Sequence, residues 1–263
     1  MNLPDYKNIK IAFFDIDGTM IDIGSRKITP NMLETLSGLQ RNGIKICIAT
    51  GRPPAILPRF QGIDFDAYLT FNASYCYTKE EVIFRNPIPA ADVQTVIRNA
   101  AKIHRPLALA GADRMGANGS DTDLEDYFAI SQHNLEIIED FDELSREEIF
   151  QIMIGCRKEE YAAVLEDVKG ARITAWWDRA ADIISVTGSK GYGIEKVLEY
   201  YHLDRKQAIA FGDGANDIEM LQTVGLGVAM GNAGEDVKAA ADQICGTAAE
   251  DGIFTYCRNH GLI

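Results

Sequence analysis

Short apolar runs that end in acidic or hydroxyl-bearing residues recur along the chain. Residues 11–14 are apolar and lead directly into Asp15 and Asp17, and two later runs, which are apolar except for Lys45 and Gln207, cover 44–49 and 207–211. An uninterrupted apolar run of this length is typical of a strand that is buried on both faces of a parallel sheet. Because a buried strand cannot carry an unpaired charge in its middle, the acidic residues are predicted at the carboxyl ends of the strands.

Helix signals separate these runs. Thr29 and Pro30 predict a helix start, with Thr29 as the N-cap, and the Asn-Gly pair at 42–43 predicts its end. Apolar spacing predicts further helices over 191–201 and 218–224. Alternating strands and helices with short connections form right-handed strand–helix–strand units on a parallel sheet. The pattern therefore predicts an α/β fold with a Rossmann-like parallel-sheet core.

The pattern changes after a predicted hairpin at 75–85. A second set of elements follows, with helices over 90–104 and 158–168 and strands over 106–110, 148–155, 172–177 and 182–187. This set contains enough elements to form an α/β unit of its own. We therefore expect an α/β domain over 84–186, inserted into a core that is formed by 1–83 and 187–263.

The chain is acidic, because 26 Lys and Arg residues stand against 39 Asp and Glu residues and give a formal net charge of −13. An acidic surface repels phosphate backbones, so nucleic acid is not an expected partner. The acidic stretch 136–148 is interpreted as a solvated face. If the substrate is itself an anion, the site must supply local positive charge.

The cysteines and the terminus indicate the compartment. Five scattered cysteines show neither a CxxC pair nor a metal-binding spacing, and they are interpreted as reduced, small core residues: Cys47, Cys76, Cys156, Cys245 and Cys257. The first residues lack the basic and apolar regions of a signal peptide. No apolar stretch approaches the roughly 20 residues that cross a bilayer. We expect a cytoplasmic protein without a membrane partner.

If the predicted strands are neighbours, their polar ends form one pocket. That pocket would contain the carboxylates of Asp15, Asp17, Asp213 and Asp217, the Thr50 hydroxyl, the Asn216 amide and the Lys190 ammonium. Asp15 and Asp17 are two residues apart in an extended segment, so both can face one small site. Carboxylates that lie this close need a hard cation such as Mg²⁺, which also takes a substrate oxygen. The hydroxyl, the ammonium and backbone N–H groups at helix starts suit phosphate oxygens.

This set of groups indicates phosphoryl transfer. A carboxylate beside Mg²⁺ and a phosphate can act as a nucleophile and form an acyl-phosphate. A second carboxylate nearby can protonate the leaving alcohol and then activate water. The cation and Lys190 neutralise charge that otherwise repels the attacking carboxylate. Local positive charge is therefore compatible with an acidic chain.

Four segments resemble a known family. Asp-Ile-Asp-Gly-Thr at 15–19 resembles the DxDGT motif of the haloacid dehalogenase-like hydrolases. Thr50 in Ala-Thr-Gly-Arg, Lys190 in Ser-Lys-Gly, and Gly-Asp-Gly-Ala-Asn-Asp at 212–217 resemble the second, third and fourth motifs in the same order. The long gap before Lys190 resembles the Cof-type subgroup, which carries a type IIB α/β cap there, and Met-Gly-Asn-Ala at 230–233 is similar to another stretch of that subgroup. The resemblance covers the whole chain.

The resemblance implies a Mg²⁺-dependent phosphatase that hydrolyses small phosphorylated metabolites, most of all sugar phosphates, through an aspartyl-phosphate. Residues 84–186 would be the cap that selects the substrate. Asp15 would be the nucleophile, Asp17 the general acid and base, and the metal ligands would be Asp15, Asp17 through its backbone carbonyl, Asp213 and Asp217, with Asp217 helping to hold the set. The phosphoryl group would be bound by Thr50, Gly51, Lys190 and Asn216.

Substrate contacts are expected from Arg52 and Asn72. A structural salt bridge is the alternative for Arg52. The subgroup often has Asn-Gly-Ala after the third strand, whereas this chain continues from Asn72 with Ala-Ser at 73–74. In the inserted domain, Trp176 and Trp177 are expected on opposite faces of their strand, where one of them could line the substrate pocket.

Other interpretations of these residues stay open at this point. Thr50 could be only an N-cap, Asp217 only an acid in a first helical turn, and Lys190 only a surface charge. A phosphomutase would return the phosphoryl group to a sugar, and the motifs do not separate it from a phosphatase. A sensor would bind a phosphorylated metabolite without turnover, but it would not need an acid at Asp17. A signalling receiver also combines acids, a Thr and a Lys, but its order and length differ and it has no inserted cap. A dehalogenase is disfavoured, because a halide leaving group needs neither an acid at Asp17 nor a metal. We expect a monomer or a small homo-oligomer.

Overall fold

The apolar runs are strands of one large sheet in the computed structural model, which describes residues 5–60, 62–130, 133–175 and 177–263. The strands of this sheet are β1 (Ile11–Phe14), β2 (Lys45–Ala49), β3 (Ala67–Thr70), β4 (Tyr75–Tyr77), β5 (Val82–Arg85), β11 (Ala208–Gly212), β12 (Leu226–Ala229) and β13 (Gln243–Ile244). Their spatial order is β13-β12-β11-β1-β2-β3-β4-β5. The pairs from β13 to β3 are parallel, whereas β3–β4 and β4–β5 are antiparallel. The predicted α/β fold with a parallel core and the predicted hairpin are confirmed.

The helices of this part of the chain include the three that the sequence signals predict, over 30–41, 190–201 and 218–223. They are α1 (Pro30–Arg41), α6 (Lys190–Tyr201), α7 (Ile218–Thr223), α8 (Glu235–Ala240) and α9 (Gly252–Asn259). The backbone N–H of Met32 donates to Thr29 Oγ1 at 3.0 Å, so Thr29 is the N-cap of α1. Pro30 occupies the first helical position, where its missing N–H removes no helical hydrogen bond. The short helix α8 was not expected from the sequence.

A second, five-stranded sheet lies in the inserted part of the chain. Its strands are β6 (Leu107–Ala110), β7 (Met115–Ala117), β8 (Gln151–Ile154), β9 (Ala171–Thr174) and β10 (Ala181–Ser185), in the order β7-β6-β8-β10-β9. All of these strand pairs are antiparallel. The accompanying helices are α2 (Ala90–Lys102), α3 (Thr122–Ile130), α4 (Phe141–Leu144) and α5 (Tyr161–Val164). Leu109, Ile152 and Ile183 share an apolar core with Val93 and Val96 of α2.

Three predictions within this second set need correction. The segment after β6, for which no strand was predicted, forms β7, whose Gly116 pairs with Leu109. The acidic stretch 136–148 is not entirely a solvated face, since α4 buries Phe141 and Leu144. The helix predicted over 158–168 is reduced to a short 3₁₀ turn and α5. Trp176 lies outside the described residues.

The chain divides into two compact units. One contains the residues up to Gly51, then Pro58–Arg85 and Ser189–Ile263, and the other contains Arg52–Leu57 and Asn86–Gly188. The roles predicted for the core and the cap stay predictions. None of the described helices combines the length and apolar character that a bilayer crossing requires.

Candidate active site at the carboxyl edge of the larger sheet

The register of three parallel strands brings their polar ends to one edge. Phe14 of β1 lies level with Phe211 of β11 and with Ile48 of β2. The residues that follow these positions therefore leave the sheet side by side, because parallel strands end at the same edge. The N–H of Asp15 donates to the carbonyl of Phe211 at 3.1 Å, which ties the end of β1 to its neighbour.

Lys190 is the centre of the site. Its side chain is 0% exposed, and its Nζ donates to Asp15 Oδ1 at 2.5 Å and to Asp217 Oδ1 at 2.6 Å. Lys190 begins α6 directly after the N-cap Ser189, so the helix start fixes where its side chain enters the core. Burial by itself would lower the pKa of Lys190, but the two carboxylates outweigh that effect and hold the pKa above its ordinary value.

Asp217 organises the loop that follows β11. Its Oδ2 accepts hydrogen bonds from the backbone N–H groups of Asp213 and Gly214, each at 2.9 Å. Its Oδ1 accepts from Lys190, and the residue is completely buried. Asp217 therefore holds both the lysine and the backbone that carries Asp213, and its role in a metal site stays a prediction.

Asp213 is positioned from the loop after β1. Thr19 Oγ1 donates to Asp213 Oδ1 at 2.7 Å. Gly18 has a φ of +81°, and a Cβ at this position would lie 2.1 Å from Asp213 Oδ2, so only glycine allows the approach. Asn232 Nδ2 donates to the carbonyl of Gly18 at 2.9 Å and to Asp213 Oδ2 at 3.3 Å.

Thr19 and Asn232 both contact Asp213, although the sequence predicted no role for either residue. Thr19 belongs to the segment 15–19 and Asn232 to the segment 230–233, both of which carry the family resemblance. Asn232 also accepts a hydrogen bond from the N–H of Ala248 at 3.0 Å. Their place in these segments was the one sign in the sequence that either residue mattered. The contacts themselves could not be predicted, because Asp213 is far in sequence from Thr19 and Gly18 is far from Asn232.

The acidic residues fit a divalent cation. Carboxylate oxygens of Asp15, Asp213 and Asp217 lie within 4.8 Å of one another. Oxygen-only donors are what Mg²⁺ prefers, and one ammonium does not neutralise three carboxylates. Asp17 is exposed, and its carboxylate is not part of this group among the described residues. Its predicted contribution to the metal rests on its backbone carbonyl and stays a prediction.

Burial makes this charge costly in the absence of a cation. Desolvation raises the pKa of Asp15 to about 8, against the opposing attraction of Lys190. Desolvation also raises the pKa of Asp213 to about 6, although the hydrogen bond from Thr19 opposes the shift. Each shift favours the neutral form of its carboxyl relative to an exposed aspartate, and positive charge added to the site would oppose both shifts.

Two of the predicted phosphate-binding residues, Thr50 after β2 and Asn216 after β11, are linked through Asn72 after β3. Thr50 is 1% exposed, and its N–H donates to the carbonyl of Leu69 at 2.8 Å. Its own carbonyl accepts from the N–H of Asn72 at 2.9 Å. Asn216 Nδ2 donates to Asn72 Oδ1 at 2.9 Å. Thr50 and Asn72 are thus held together, and Asn72 is linked to Asn216.

Arg52 belongs to the second compact unit, and its Nη1 donates to the carbonyl of Ile56 at 3.3 Å. Its neighbour Gly51 belongs to the first unit together with Thr50. A substrate role for Arg52 is untested by this geometry and stays a prediction.

Known proteins match nearly the whole chain. The family model for haloacid dehalogenase-like hydrolases matches residues 12–256. The putative phosphatase YkrA of Bacillus subtilis is 33% identical over 260 residues, which cover 97% of this chain and 98% of YkrA. The 5-amino-6-(5-phospho-D-ribitylamino)uracil phosphatase YitU of the same organism is 29% identical over 261 residues, with coverage of 94% and 95%.

A solved structure gives the same answer for the fold. The subclass IIB sugar phosphatase BT4131 superposes with a TM-score of 0.86 at 32% identity, and the match covers 97% of this chain and 100% of that chain. The fold, the order of the motifs and the extent of these matches agree. The chain therefore belongs to the haloacid dehalogenase-like hydrolase family, and it is a phosphatase of the Cof-type subgroup.

Proposed function

We propose that this phosphatase depends on Mg²⁺ and acts through an aspartyl-phosphate on Asp15. The observation that carries the proposal is the buried contact of Lys190 with Asp15 and Asp217, beside the carboxylate of Asp213. When bound, Mg²⁺ would offset the negative charge that the carboxylates and the phosphoryl oxygens bring together. Asp15, Asp213, Asp217 and the backbone carbonyl of Asp17 would hold it.

The first half-reaction uses two carboxylates. A carboxylate oxygen of Asp15 attacks phosphorus, and the bond from phosphorus to the alcohol oxygen breaks. Asp17 gives its proton to the leaving alcohol. Lys190 holds Asp15 in place, and its ammonium lowers the repulsion between the nucleophile and the phosphoryl group. Thr50, Gly51 and Asn216 would donate to the phosphoryl oxygens.

The second half-reaction restores the enzyme. Asp17, now ionised, takes a proton from water, and the oxygen of that water attacks phosphorus. The bond between phosphorus and Asp15 breaks, and inorganic phosphate leaves. An exposed carboxylate suits this exchange because it can reach both the leaving alcohol and the incoming water.

Trapping the intermediate tests this assignment. With labelled p-nitrophenyl phosphate, whose leaving group needs little protonation, D17N should form the aspartyl-phosphate and fail to hydrolyse it. Acid quenching should then recover label on D17N but none on D15N. Label on D15N, or no label on D17N with Mg²⁺ present, would contradict Asp15 as the nucleophile.

We also propose that the substrates are sugar phosphates or related phosphorylated polyols. One similar protein is named as a sugar phosphatase, and another is named for a phosphoribityl substrate. Phosphate release from a panel of sugar phosphates, with Mg²⁺ and with a chelator, tests the proposal. Release only from aromatic esters would contradict this substrate class, and transfer back to a sugar would indicate a mutase.

Compartment and assembly complete the proposal. The five cysteines form no disulfide, and only Cys245 is not buried, which suits a reducing compartment such as the cytoplasm.

We propose a monomer or small homo-oligomer without nucleic-acid partners, in keeping with the net charge of −13. Sedimentation of the purified protein with and without nucleic acid checks both points.

A further inference from the structure

The loop after β3 contains a left-handed turn of three successive residues. Phe71, Asn72 and Ala73 have φ values of 52°, 54° and 66°. None of them is glycine, and a run of such conformations is unfavourable for side chains that carry a Cβ. Asn tolerates this region better than most residues, whereas Phe and Ala gain nothing from it. Backbone strain of this kind persists only where the surroundings enforce it, and it concentrates at functional sites.

The surroundings hold this turn from both sides. Phe71 is completely buried, and Ala73 is 1% exposed in a core that also contains Ile194 and Val197. The N–H of Asn72 donates to the carbonyl of Thr50 at 2.9 Å. The core side chains therefore anchor the two ends of the turn, and the hydrogen bond to Thr50 fixes its middle.

The consequence of the turn is the placement of one buried amide. The Asn72 residue is 7% exposed, and its Oδ1 accepts from Asn216 Nδ2 at 2.9 Å. A Cβ on Gly51 would lie 3.3 Å from Asn72 Nδ2, so the amide packs directly against Gly51. The Asn72 amide thus connects the ends of β2, β3 and β11.

We infer that Asn72 is a positioning residue that orients the amide of Asn216 toward the phosphoryl group. The inference rests on the proposed function, which assigns Asn216, Thr50 and Gly51 to that group. An amide nitrogen carries two hydrogens. Asn72 takes one hydrogen of Asn216 Nδ2 and leaves the other to donate to a phosphoryl oxygen. Because Asn216 is exposed, its side chain needs such a partner to keep one orientation.

A double-mutant cycle tests the inference. Asn72→Gly keeps the left-handed turn accessible and removes the amide, and Asn216→Ala removes the group that is oriented. Asn72→Gly should lower kcat/KM for p-nitrophenyl phosphate and weaken binding of inorganic phosphate about tenfold, the scale of one hydrogen bond. In the Asn216→Ala background the same change should have almost no further effect, because the two residues act as a unit.

Ala73→Gly is the matched control. It lies in the same turn but carries no polar group, so kcat, KM and phosphate binding should stay within twofold of wild type, whatever the change in Tm. Losses that multiply in the double variant, or wild-type phosphate binding in Asn72→Gly, would overturn the inference.

The binding measurement separates this inference from the proposed function. Inorganic phosphate titrated with Mg²⁺ present requires no turnover, so the cycle can be completed even if the wild-type protein hydrolyses none of the esters tested. A coupled cycle without hydrolysis would keep the inference and contradict the proposed function. A wild-type protein that binds no phosphate would overturn both.

Discussion

Each compact unit holds a cluster of ionised side chains, and the two clusters differ in balance and burial. In the larger unit, one ammonium that is 0% exposed meets three carboxylates, from Asp15, Asp213 and Asp217. In the second unit, three guanidiniums meet four carboxylates, which belong to Arg105, Arg157, Arg179, Asp121, Asp123, Asp126 and Glu160. The Arg105 side chain is 18% exposed, so water reaches this cluster.

The comparison separates a structural use of charge from a catalytic one. Arg105 binds Glu160 through two hydrogen bonds, at 3.0 and 2.9 Å, and also reaches Asp121 and Asp123. Positive and negative charges in this cluster are nearly equal in number and partly solvated, so they neutralise one another without a ligand. The cluster around Lys190 holds more negative than positive charge in a buried region, which is unfavourable unless a bound cation balances that charge. Unbalanced buried charge therefore marks the site.

The largest expected effect is on catalysis. Asp15→Asn should reduce turnover of p-nitrophenyl phosphate by at least about 10⁴-fold, because an amide oxygen cannot replace the carboxylate nucleophile. The variant should stay folded, since removing one of three crowded carboxylates relieves repulsion. Steady-state kinetics and circular dichroism check the two halves. Turnover near the wild-type rate would remove Asp15 from the mechanism.

Lys190→Met should affect activity and stability together. Without the ammonium, Asp15 and Asp217 face each other in a buried space, and breaking such a pair costs about 3–5 kcal/mol of unfolding free energy. We expect turnover to fall about 100-fold or more, with the loss of stability partly restored by Mg²⁺. Denaturant titration with Mg²⁺ and with a chelator measures this.

Lys196→Met is the control for that variant, because Lys196 lies on the same helix and its ammonium lies beside two exposed groups, the Glu199 carboxylate and the Tyr192 ring. It should cost less than about 0.5 kcal/mol. Equal losses from the two lysine variants would contradict the central position of Lys190.

Arg105→Met tests the other side of the comparison. It leaves Glu160, Asp121 and Asp123 without a shared partner, so we expect a loss of about 1.5–3 kcal/mol in unfolding free energy. The turnover number for p-nitrophenyl phosphate should stay within twofold of wild type. Arg98→Met, at an exposed position on α2, should change neither quantity. A large fall in turnover for Arg105→Met with unchanged stability would contradict a structural role for this cluster.

The smallest effect is a dependence of metal stabilisation on pH. The raised pKa values of Asp15, about 8, and Asp213, about 6, mean that the metal-free folded protein binds more protons than the unfolded chain. These two groups therefore destabilise the metal-free fold increasingly as pH rises from about 4 to 8. Mg²⁺ should offset this destabilisation. The Tm increase that Mg²⁺ causes should therefore be larger at pH 8 than at pH 5, and each kcal/mol of difference in unfolding free energy should appear as about 2–4 °C in Tm.

The difference in Tm with and without Mg²⁺ isolates the site, because carboxylates elsewhere contribute equally to both measurements. A Tm increase that is the same at both pH values, or larger at pH 5, would contradict cation binding by these carboxylates.

Local signals predicted local structure well. Thr29 and Pro30 start α1 as expected, and the apolar run at 11–14 is the completely buried strand β1. The predictions failed where long-range pairing decides the outcome. Strand β7 depends on its pairing with β6 rather than on its own composition. Helix α4 forms within an acidic stretch because its Phe141 and Leu144 pack into the apolar core of the second unit.

The sequence by itself determined which residues reach the carboxyl edge of the sheet, because apolar runs and helix caps act over a few residues. Asp15, Thr50 and Asp213 were found in this way. Only the tertiary structure decided that Lys190, 175 residues from Asp15, is buried against it, since the local sequence of a buried lysine does not differ from that of a surface lysine. The contacts from Thr19 to Asp213 and from Asn216 to Asn72 were likewise beyond the sequence, because each joins segments that only the folded sheet makes neighbours.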